Sequence, residues 1–556
     1  MEGIGVFFSA DICRQDRQAA LTKRNACIES AAAQRQSEQS DTDMVQADMS
    51  TKTQSTSASV PSKVKSTLIE RLDALYEYDR EPVHESKLQG WRTFIAMFSS
   101  EHIAGTEFVL GTLLVMHGVR AVDVFGGLAL GNLLAVLSWA FICAPIAVKE
   151  RLTIYWQIRK IAGPYLTVLY SGLFALILCL LAGSMVNVST TAVTLPLGIA
   201  SPNYAAGQTV PSIPWILIAV GVGTVIAVLA ILGFERLAHF AKVVAPWMPF
   251  VFLSGAIASL PSLGVTGLSN FWQIANEKIW TGEPYPGQMP YRFWHCVGLA
   301  WLCNIAQHMG MGDVTIFRYA RKWQMGFCSA FGMFIGHYLA WICSGVLCAA
   351  FVHSQRAAGV ADPNPTPGNI AMFGAGYAGI VCVLLAGWTT ANPTLYRAGL
   401  AFQVATPNWR RWAVTLAAGI LMIVTACIPS VLHYLDRIVA YYGLFFMPLG
   451  AFIFIDFWLF PRLGLVRYYA QQRGLRLSWP AAVGWFGSFG ICFVLYAKDQ
   501  YASMAWVNSY LPTFLSRYKP DLFLQVLPAW LIAISLYTVC SLIQQRLHPI
   551  EQEQKI

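Results

Sequence analysis

Charged residues are scarce in this sequence: Asp, Glu, Lys and Arg make up 12% of its 556 residues, whereas soluble globular chains carry roughly 25%. Hydrophobic residues reach 56% and the mean hydropathy is +0.50, so the sequence predicts a polytopic protein of the lipid bilayer. The formal net charge of +9 would suit a nucleic-acid partner, but Lys and Arg gather between apolar segments, where they set membrane orientation. We therefore expect no nucleic-acid partner.

The groupings that signal metal sites, disulfides or catalysis are also missing. The 13 cysteines are scattered singly, without C-x-x-C or a Cys/His grouping at metal-ligand spacing. No nucleophile stands at usable spacing from a base, so we predict neither an enzyme nor a cofactor. The opening MEGIGVFF is too short for the apolar core of a signal peptide, which predicts no cleavage there.

A hydrophilic tail is predicted over residues 1–90. From 29 to 62 it consists mainly of Gln, Ser, Thr, Ala and Asp without apolar periodicity, which predicts disorder; apolar residues from 68 to 76 then recur at helical spacing, which predicts a short amphipathic helix. About twelve apolar segments follow, numbered here as spans one to twelve: 91–117, 122–148, 163–188, 213–234, 240–262, 293–311, 325–352, 369–390, 411–432, 436–459, 479–497 and 523–545.

Lys and Arg are distributed unevenly between the two sides of these spans. Sixteen of them fall in the loops after even-numbered spans, Arg318 and Arg397 among them, against eight in the opposite loops and their borders. This bias predicts that the N-terminal tail and the C-terminal segment 546–556 are cytoplasmic. The long loops 189–212 and 263–292 then face the outside of the plasma or inner membrane.

The stretch 299–321, LAWLCNIAQHMGMGDVTIFRYAR, does not resemble a plain membrane-spanning helix. Asn304, Gln307 and His308 follow its apolar start, and Gly310 and Gly312 come next. Burying a polar side chain in a bilayer costs free energy unless it faces protein or a water-filled cavity. Helix-breaking glycines beside such residues are typical of a discontinuous helix that binds solute near the midplane. The alternative is an ordinary helix end with Gly310 as its cap.

Span one contains the residues whose transfer into a bilayer costs the most free energy. Its stretch FSSEHIAGTEFVLG places Glu101, His102 and Glu107 around Gly105. Such carboxylates should face a cavity, pair with a partner or stay protonated. Spans one and six are both interrupted by glycine beside polar residues, and they are five spans apart. That spacing predicts an inverted repeat of five plus five helices, 91–262 and 263–460, with spans eleven and twelve (461–545) outside it.

Span eight offers oxygen ligands on one helix face. Ala386, Thr389 and Thr390 lie at i, i+3 and i+4, and the following Asn392-Pro393 frees backbone carbonyls beside them. Hard oxygen atoms in this arrangement suit a small alkali cation. The alternative is that the threonine hydroxyls bond back to carbonyls one turn earlier.

Three further residues are candidates for narrower roles. Asn187, near the outer end of span three, and Trp301 could hold an aromatic or amide-bearing solute, although a membrane Trp also serves as an interface anchor or packing residue. Asp456, within FIFIDFWLFPR of span ten, is predicted to be a structural partner of a nearby arginine.

Several stretches together resemble the nucleobase:cation symporter-1 family, the permeases for cytosine, purines, hydantoin and allantoin. They are GLALGNLLAVLS (127–138) in span two, Asp313 with Arg318 and Tyr319 after span six, WTT (388–390) with LY (395–396) and AGL (398–400) in span eight, and PLGAFIFIDFWLFPR (448–462) in span ten. The resemblance covers roughly residues 85–500, with these motifs in order and at family spacing.

The resemblance implies the leucine-transporter fold, an all-α arrangement of five plus five inverted helices that holds substrate between spans one, three, six and eight. It implies that Ala386, Thr389 and Thr390 form the span-eight half of a sodium site, the other half being backbone carbonyls of span one. The sequence departs from the family in span three, where AGSMVNVS (182–189) offers Asn187 in place of the usual Trp and Gln. The Glu101-His102 pair is also unusual in the family.

These patterns predict a secondary active transporter that imports a small nitrogen heterocycle, of the purine, cytosine, allantoin or hydantoin type, by cation symport. Glu101, His102, Gly105, Asn187, Trp301, Asn304, Gln307 and His308 are the candidate substrate-binding residues. The coupling ion is left open between Na⁺ and H⁺, and the oligomeric state is not predicted. The alternatives are an amino-acid or amine permease of the same fold, favoured by a cavity with charged and not stacking side chains, and a transporter-like sensor acting through the tail.

Overall fold

The computed structural model describes Tyr78, 80–202, 210–428, Val431, 434–517 and 522–550. Within these residues the chain is helical, and pairing of the β type is limited to two isolated bridges, Gln89 with Ala320 and Arg120 with Thr281. Nine of the helices in the described part are long and apolar enough to cross a membrane. The features predicted at 29–62 and 68–76, and residues 551–556 of the predicted C-terminal segment, lie outside the described residues.

The helices follow the predicted spans. In chain order they are Trp91–His102 (1a) and Thr106–Met116 (1b), Ala121–Glu150 (two), Pro164–Thr194 (three), Ile213–Ile231 (four) and Phe234–Leu263 (five), Phe293–Leu302 (6a) and Ile305–His308 (6b), Trp323–Ala357 (seven) and Pro367–Ala405 (eight), Arg411–Ala426 (nine), Leu435–Phe454 (ten), Trp479–Gln500 (eleven) and Val526–Leu547 (twelve).

Shorter helices connect the spans. The α-helical ones are Ile154–Ala162, Leu268–Ile274, Val314–Phe317, Tyr469–Gln472 and Thr513–Ser516, and the 3-10 helices outside the spans are Glu85–Lys87, Phe460–Leu463, Ala502–Ser509 and Phe523–Gln525. Span seven contains a π-helical stretch, Phe331–Tyr338. Such stretches are frequent at functional sites, and this one faces span one.

The first nine spans pack mainly as two groups of four with span five between them. Spans one, two, six and seven contact one another, and spans three, four, eight and nine form the second group. Span five lies against spans one, seven and eight, span ten packs on 6b and span three, and spans eleven and twelve pack on each other and on ten. The cavity described below lies where the two groups meet.

The predicted tail reaches too far along the chain, because its last residues are packed onto the helices. The Val83 backbone N–H donates to Arg151 O at 3.1 Å, and the Gln89 N–H donates to Tyr319 O at 2.7 Å. Val83 is 1% exposed and Leu88 9% exposed. Within residues 80–90 the buried apolar side chains are Val83 and Leu88. Two such residues do not make a periodic pattern from which packed structure can be predicted.

Span eight also departs from its predicted bounds. Its helix runs from Pro367 to Ala405, through Pro393 and with a kink at Gly376, where φ is +58°. Proline lacks an N–H for the Thr389 carbonyl but does not end the helix here, since the neighbouring helices hold it.

The prediction for Asp456 is confirmed: Arg467 Nε donates to its Oδ2 at 3.3 Å.

Candidate functional site

A cavity of about 120 Å³ lies beside the breaks in spans one and six. Its apolar wall consists of aliphatic and methionine side chains from spans one, three, six and ten: Leu110, Leu178, Leu181, Met185, Leu299 and Val439. Its polar wall brings together two carboxyls, two imidazoles, two amides and several hydroxyls: Glu101, Glu107, His102, His337, Asn304, Gln307, Thr106, Thr390, Thr394 and Tyr442. A small, largely apolar space with a few convergent polar groups is typical of a ligand site.

The helix breaks place these polar groups on the wall. Span 1a ends at His102, and Ile103 takes φ −102° and ψ 62° before 1b begins after Gly105. A Cβ at Gly105 would come 2.4 Å from Val188 Cγ1, so only glycine lets this break approach span three so closely. In span six the break falls at Cys303 and Asn304, where Asn304 has φ −108° and ψ 17°.

Four of the predicted substrate-binding side chains line the cavity: Glu101, His102, Asn304 and Gln307. Gln307 Nε2 donates to the Tyr442 hydroxyl at 2.8 Å. Its buried Oε1 has no hydrogen-bond partner among the described residues and lies against Gly312, where an added Cβ would be 2.4 Å from it. The structure has the discontinuous helix predicted for 299–321, and its break at Cys303 and Asn304 comes before Gly310 and Gly312.

The other four predicted residues do not line this cavity. Trp301 Nε1 donates to Ser138 Oγ at 3.1 Å, the Asn187 amide donates to Ala426 O at 3.3 Å, and His308 Nε2 lies 3.0 Å from Trp301 O. Here these side chains make packing contacts between helices, and Gly105 serves the close helix approach. Sequence spacing placed them on the correct spans but could not show which way each side chain points.

The oxygen atoms predicted to bind a cation do converge. Thr389 Oγ1 donates to Ala386 O at 3.0 Å, while Thr390 Oγ1 lies 2.8 Å from Glu101 O and 3.2 Å from Ala386 O. The hydroxyls therefore bond back one turn, as the second alternative predicts, and the Thr390 hydroxyl also bridges to the broken end of span 1a. The donor set of carbonyl and hydroxyl oxygens fits a hard alkali cation.

Behind Glu101 lies a buried ion-pair cluster that joins three helical segments. Arg397 of span eight donates to Glu101 at 2.7 and 3.2 Å and to Asp313 at 2.6 Å, and Trp139 Nε1 donates to the second Asp313 oxygen at 2.7 Å. The side chains of Arg397 and Asp313 are 2% and 1% exposed. Charge-assisted bonds of this kind are short and directional.

Two of the arginines counted in the loops after even-numbered spans are buried. Arg397 lies inside the span-eight helix, and Arg318 is fully buried and donates to Thr315 O at 3.0 Å and to the Tyr396 hydroxyl at 3.3 Å. Their charges are held by internal acceptors, so they are not free to signal orientation. Without them the loop bias is weaker but keeps its sign.

A second acidic group, not connected to this cluster, involves a residue that the sequence analysis missed. Glu107 Oε1 is 3.9 Å from Nε2 of His337 on span seven, and the Trp341 indole donates to its other oxygen. An isolated histidine within the apolar run FGMFIGHYLAW was the available signal, since ionisable residues inside membrane spans mark functional sites.

Comparison with solved structures shows the same architecture in other proteins. No protein-family model matches the chain, and no curated protein matches it. Among solved structures, Mhp1, described as a nucleobase-cation-symport-1 family transporter in a closed conformation with bromovinylhydantoin bound, is similar over 86% of this chain and 98% of its own, with a TM-score of 0.62 and 14% identity. A Na⁺-coupled sialic acid symporter in a substrate-bound outward-open state is similar over 82% and 89%, with a TM-score of 0.57 and 12% identity.

At these identities the likeness establishes the fold alone. The chain has the leucine-transporter fold, and the all-α polytopic architecture predicted from sequence is confirmed. What the cavity binds must be argued from its own side chains.

Proposed function

We propose that this protein is a secondary active transporter that carries a small nitrogen-containing solute together with a cation by alternating access. One observation carries the proposal: the cavity lies at paired helix breaks and directly beside a cluster of oxygen atoms contributed by spans one and eight. Solute and cation would then share the residue Glu101, whose carboxyl lines the cavity and whose carbonyl belongs to the oxygen cluster. Broken helices at a repeat interface are the arrangement that transporters use for coupled sites.

The cavity wall favours a solute with N–H donors. Glu101 and Glu107 are acidic groups of the cavity wall, while Arg397 is held behind Glu101 and is 2% exposed. A nitrogen heterocycle with ring N–H groups meets this requirement, and it is our first candidate for import. Bromovinylhydantoin in the Mhp1 structure is a ligand of that type.

An amine or amino acid is the second candidate, and one observation favours it. The aromatic rings on the wall are two imidazoles and the Tyr442 phenol, and no tryptophan lines the cavity within the described residues. Glu101 is paired with Arg397, but Glu107 on the same wall has no lysine or arginine within 4.0 Å among the described residues, and its carboxylate would attract a cationic group.

We propose Na⁺ as the ion at the span-eight oxygens, with Ala386 O, the two threonine hydroxyls and Glu101 O as ligands. In the observed arrangement the hydroxyls donate to the two carbonyls, so a bound cation would turn them to present their lone pairs. This replacement costs little, because each oxygen exchanges a hydrogen bond for an ion contact.

The test is thermal unfolding of the purified protein against nucleobases, hydantoins, amines and amino acids, each with and without Na⁺. A ligand that binds only the folded state raises the unfolding temperature. Stabilisation by a heterocycle that requires Na⁺, followed by Na⁺-dependent uptake of that compound into proteoliposomes, supports the proposal. Stabilisation by amines or amino acids would replace the first candidate with the second. No stabilisation and no uptake with any compound would count against a transporter.

The proposal includes an integral plasma (inner) membrane location with both termini cytoplasmic. Leu268, 95% exposed in the loop after span five, and Asn408, exposed in the loop after span eight, are suitable labelling positions. Leu268→Cys should react with an impermeant maleimide in intact cells, and Asn408→Cys only after permeabilisation, each measured against the parent protein. The opposite pattern would invert the orientation.

A further inference from the structure

Glu107 is an acidic residue without a fixed counter-charge. It stands in the first turn of span 1b with its side chain 2% exposed, and the Trp341 indole is its neutral hydrogen-bond donor. The described part of the chain brings no lysine or arginine within 4.0 Å of it, whereas Glu101 has Arg397. An ionised carboxylate in such a place costs several kcal/mol, so Glu107 either carries a proton itself or needs a positive charge beside it.

His337 is the group placed to share that charge. Its Nε2 lies 3.4 Å from the Asn304 amide nitrogen, which can only donate, so Nε2 is an acceptor in this arrangement. Its Nδ1 faces Cys303 Sγ at 3.9 Å, and the Cys303 thiol donates to Ala300 O. In this tautomer the lone pair is on Nε2, the nitrogen nearest Glu107.

When Glu107 is ionised, two acceptors therefore face each other across 3.9 Å. A normal N–H···O bond is roughly 2.7–3.2 Å long, so a movement of about 1 Å would allow a proton to bridge Glu107 Oε1 and His337 Nε2. The other titratable groups near the pair are His102, whose ring centroid is 5.0 Å from that of His337, Cys303, and, elsewhere on the cavity wall, Glu101 and Tyr442.

We propose that Glu107 and His337 form a proton-binding site in the cavity wall, separate from the span-eight oxygen cluster. The proton arrives from water in the cavity, is shared by the carboxyl oxygen and the imidazole nitrogen, and returns to water on the other side after the cavity reopens. This inference rests on the proposed function, because a proton site in the wall acts in transport only if the cavity alternates between the two sides.

The proton also changes which helices are connected. With a proton on Nε2, His337 can no longer accept from Asn304 and donates to Glu107 instead. Span seven then loses a contact to the break in span six and gains a contact to span 1b. Occupancy of the site therefore alters the contacts among the segments that line the cavity, which is how a bound ion can bias a conformational equilibrium.

The test needs no substrate. The full chain is reconstituted in liposomes on a solid-supported membrane, and the charge displaced by a pH jump is measured for the wild type, Glu107→Gln, His337→Gln and the control Glu235→Gln. Glu235 is an exposed carboxyl, 66% exposed, paired with Lys87. We expect Glu107→Gln to reduce the displaced charge to below about one tenth. His337→Gln should shift the pH midpoint by about one unit or more, a tenfold change in proton affinity, and the control should match wild type.

A Na⁺ jump on the same samples separates this inference from the proposed function. If the Na⁺ response is present but the pH response survives unchanged in both Glu107→Gln and His337→Gln, the proton site is wrong and the transporter proposal stands. If the pH response is lost in Glu101→Gln and not in Glu107→Gln, the proton belongs to Glu101 and the inference is overturned. If neither jump displaces charge in folded wild type, both proposals fall.

A variant that fails to fold does not remove the test. Infrared spectra of the wild type should show a buried carboxylic acid band that titrates with the same midpoint as the displaced charge, and His337→Gln should move both together. Absence of a titrating carboxylic acid band in the wild type would overturn the inference.

Discussion

Arg397 balances the charges of two largely buried carboxylates. It is the shared partner of Glu101 and Asp313, and all three side chains are at most 12% exposed. Arg397→Gln leaves two carboxylates without a cation, and removing one partner of a buried ion pair costs roughly 3–5 kcal/mol. Arg397→Lys keeps the charge but loses the planar fork that reaches both carboxylates, so we expect an intermediate loss.

Thermal unfolding of the purified variants checks this order. Arg473→Gln is the matched control, because Arg473 is exposed in the loop after span ten and should leave the unfolding temperature unchanged. An Arg397→Gln protein as stable as the Arg473→Gln protein would show that the cluster contributes nothing to folding.

Thr390 links the two halves of the proposed cation site. Its hydroxyl lies 2.8 Å from Glu101 O and 3.2 Å from Ala386 O, and Thr390→Val removes that oxygen while keeping the branched shape. We expect the Na⁺ concentration for half-maximal thermal stabilisation to rise about tenfold, which corresponds to about 1.4 kcal/mol. The measurement is a Na⁺ titration of the unfolding temperature.

Thr224→Val is the control for this titration. Thr224 makes the same bond one turn back, to Val220 O at 2.7 Å, but is exposed on span four, so its loss should leave the Na⁺ dependence intact. An unchanged Na⁺ dependence in Thr390→Val would discard the site.

For individual residues, the sequence predicted which residue types lie beside the helix breaks better than it predicted which way each side chain points. Polar residues beside helix breaks were found, because inside a membrane their cost makes them conspicuous. Trp301 and Asn187 were placed on the correct spans, but whether a side chain meets the cavity or a neighbouring helix depends on helix rotation, which a near-uniformly apolar span does not encode. Arg397 was read as a loop residue because its partners, Glu101 and Asp313, are distant in sequence.

At the scale of elements, the spans were predicted well and their ends less so. Length and hydropathy determine whether a segment can cross a bilayer, and all twelve predicted segments correspond to helices. Where a helix ends depends on contacts: span eight continues through Pro393 because neighbouring helices hold the turn after it. The breaks in spans one and six were predictable because both leave a local signal, glycine beside polar residues.

Close packing of spans three and eight depends on Gly387. A Cβ added there would lie 2.0 Å from Ser189 Oγ and 2.7 Å from Met185 O, so Gly387→Ala must push the two helices apart. Overpacking of this kind costs roughly 1–3 kcal/mol, and we expect a lower unfolding temperature together with weaker Na⁺ stabilisation, since Gly387 lies between Ala386 and Thr389.

Gly221→Ala provides a control of opposite sign. Gly221 is exposed within the span-four helix, and an added Cβ meets nothing within 4 Å. Alanine is favoured over glycine inside a helix by roughly 0.5–1 kcal/mol, so this variant should be slightly more stable than wild type. Equal effects of the two substitutions would contradict the packing argument.

At the scale of the whole molecule, the cavity is assembled from segments that are far apart in the chain. Glu101, Gln307 and Tyr442 lie on spans one, six and ten and meet at the cavity, although they are up to about 340 residues apart in the chain. Sequence motifs predicted this architecture through the resemblance of several short stretches. They could not predict the chemistry of the wall, because His337 and Tyr442 lie outside every motif that carried the resemblance.

Deletions in the N-terminal tail distinguish the transporter hypothesis from the sensor hypothesis. Deletion of 1–77 removes only sequence before the described residues, whereas deletion of 1–90 also removes Val83 and Leu88 and the backbone bonds to Arg151 and Tyr319. Burial of one such side chain stabilises by roughly 1.5–3 kcal/mol, so the longer deletion should lower the unfolding temperature. The shorter deletion should leave both stability and solute uptake unchanged if the protein is a transporter.

If uptake is retained but a cellular response to the solute is lost, the tail is a signalling element on a working transporter. If uptake is absent from the full chain and a cellular response requires 1–77, the sensor hypothesis is correct.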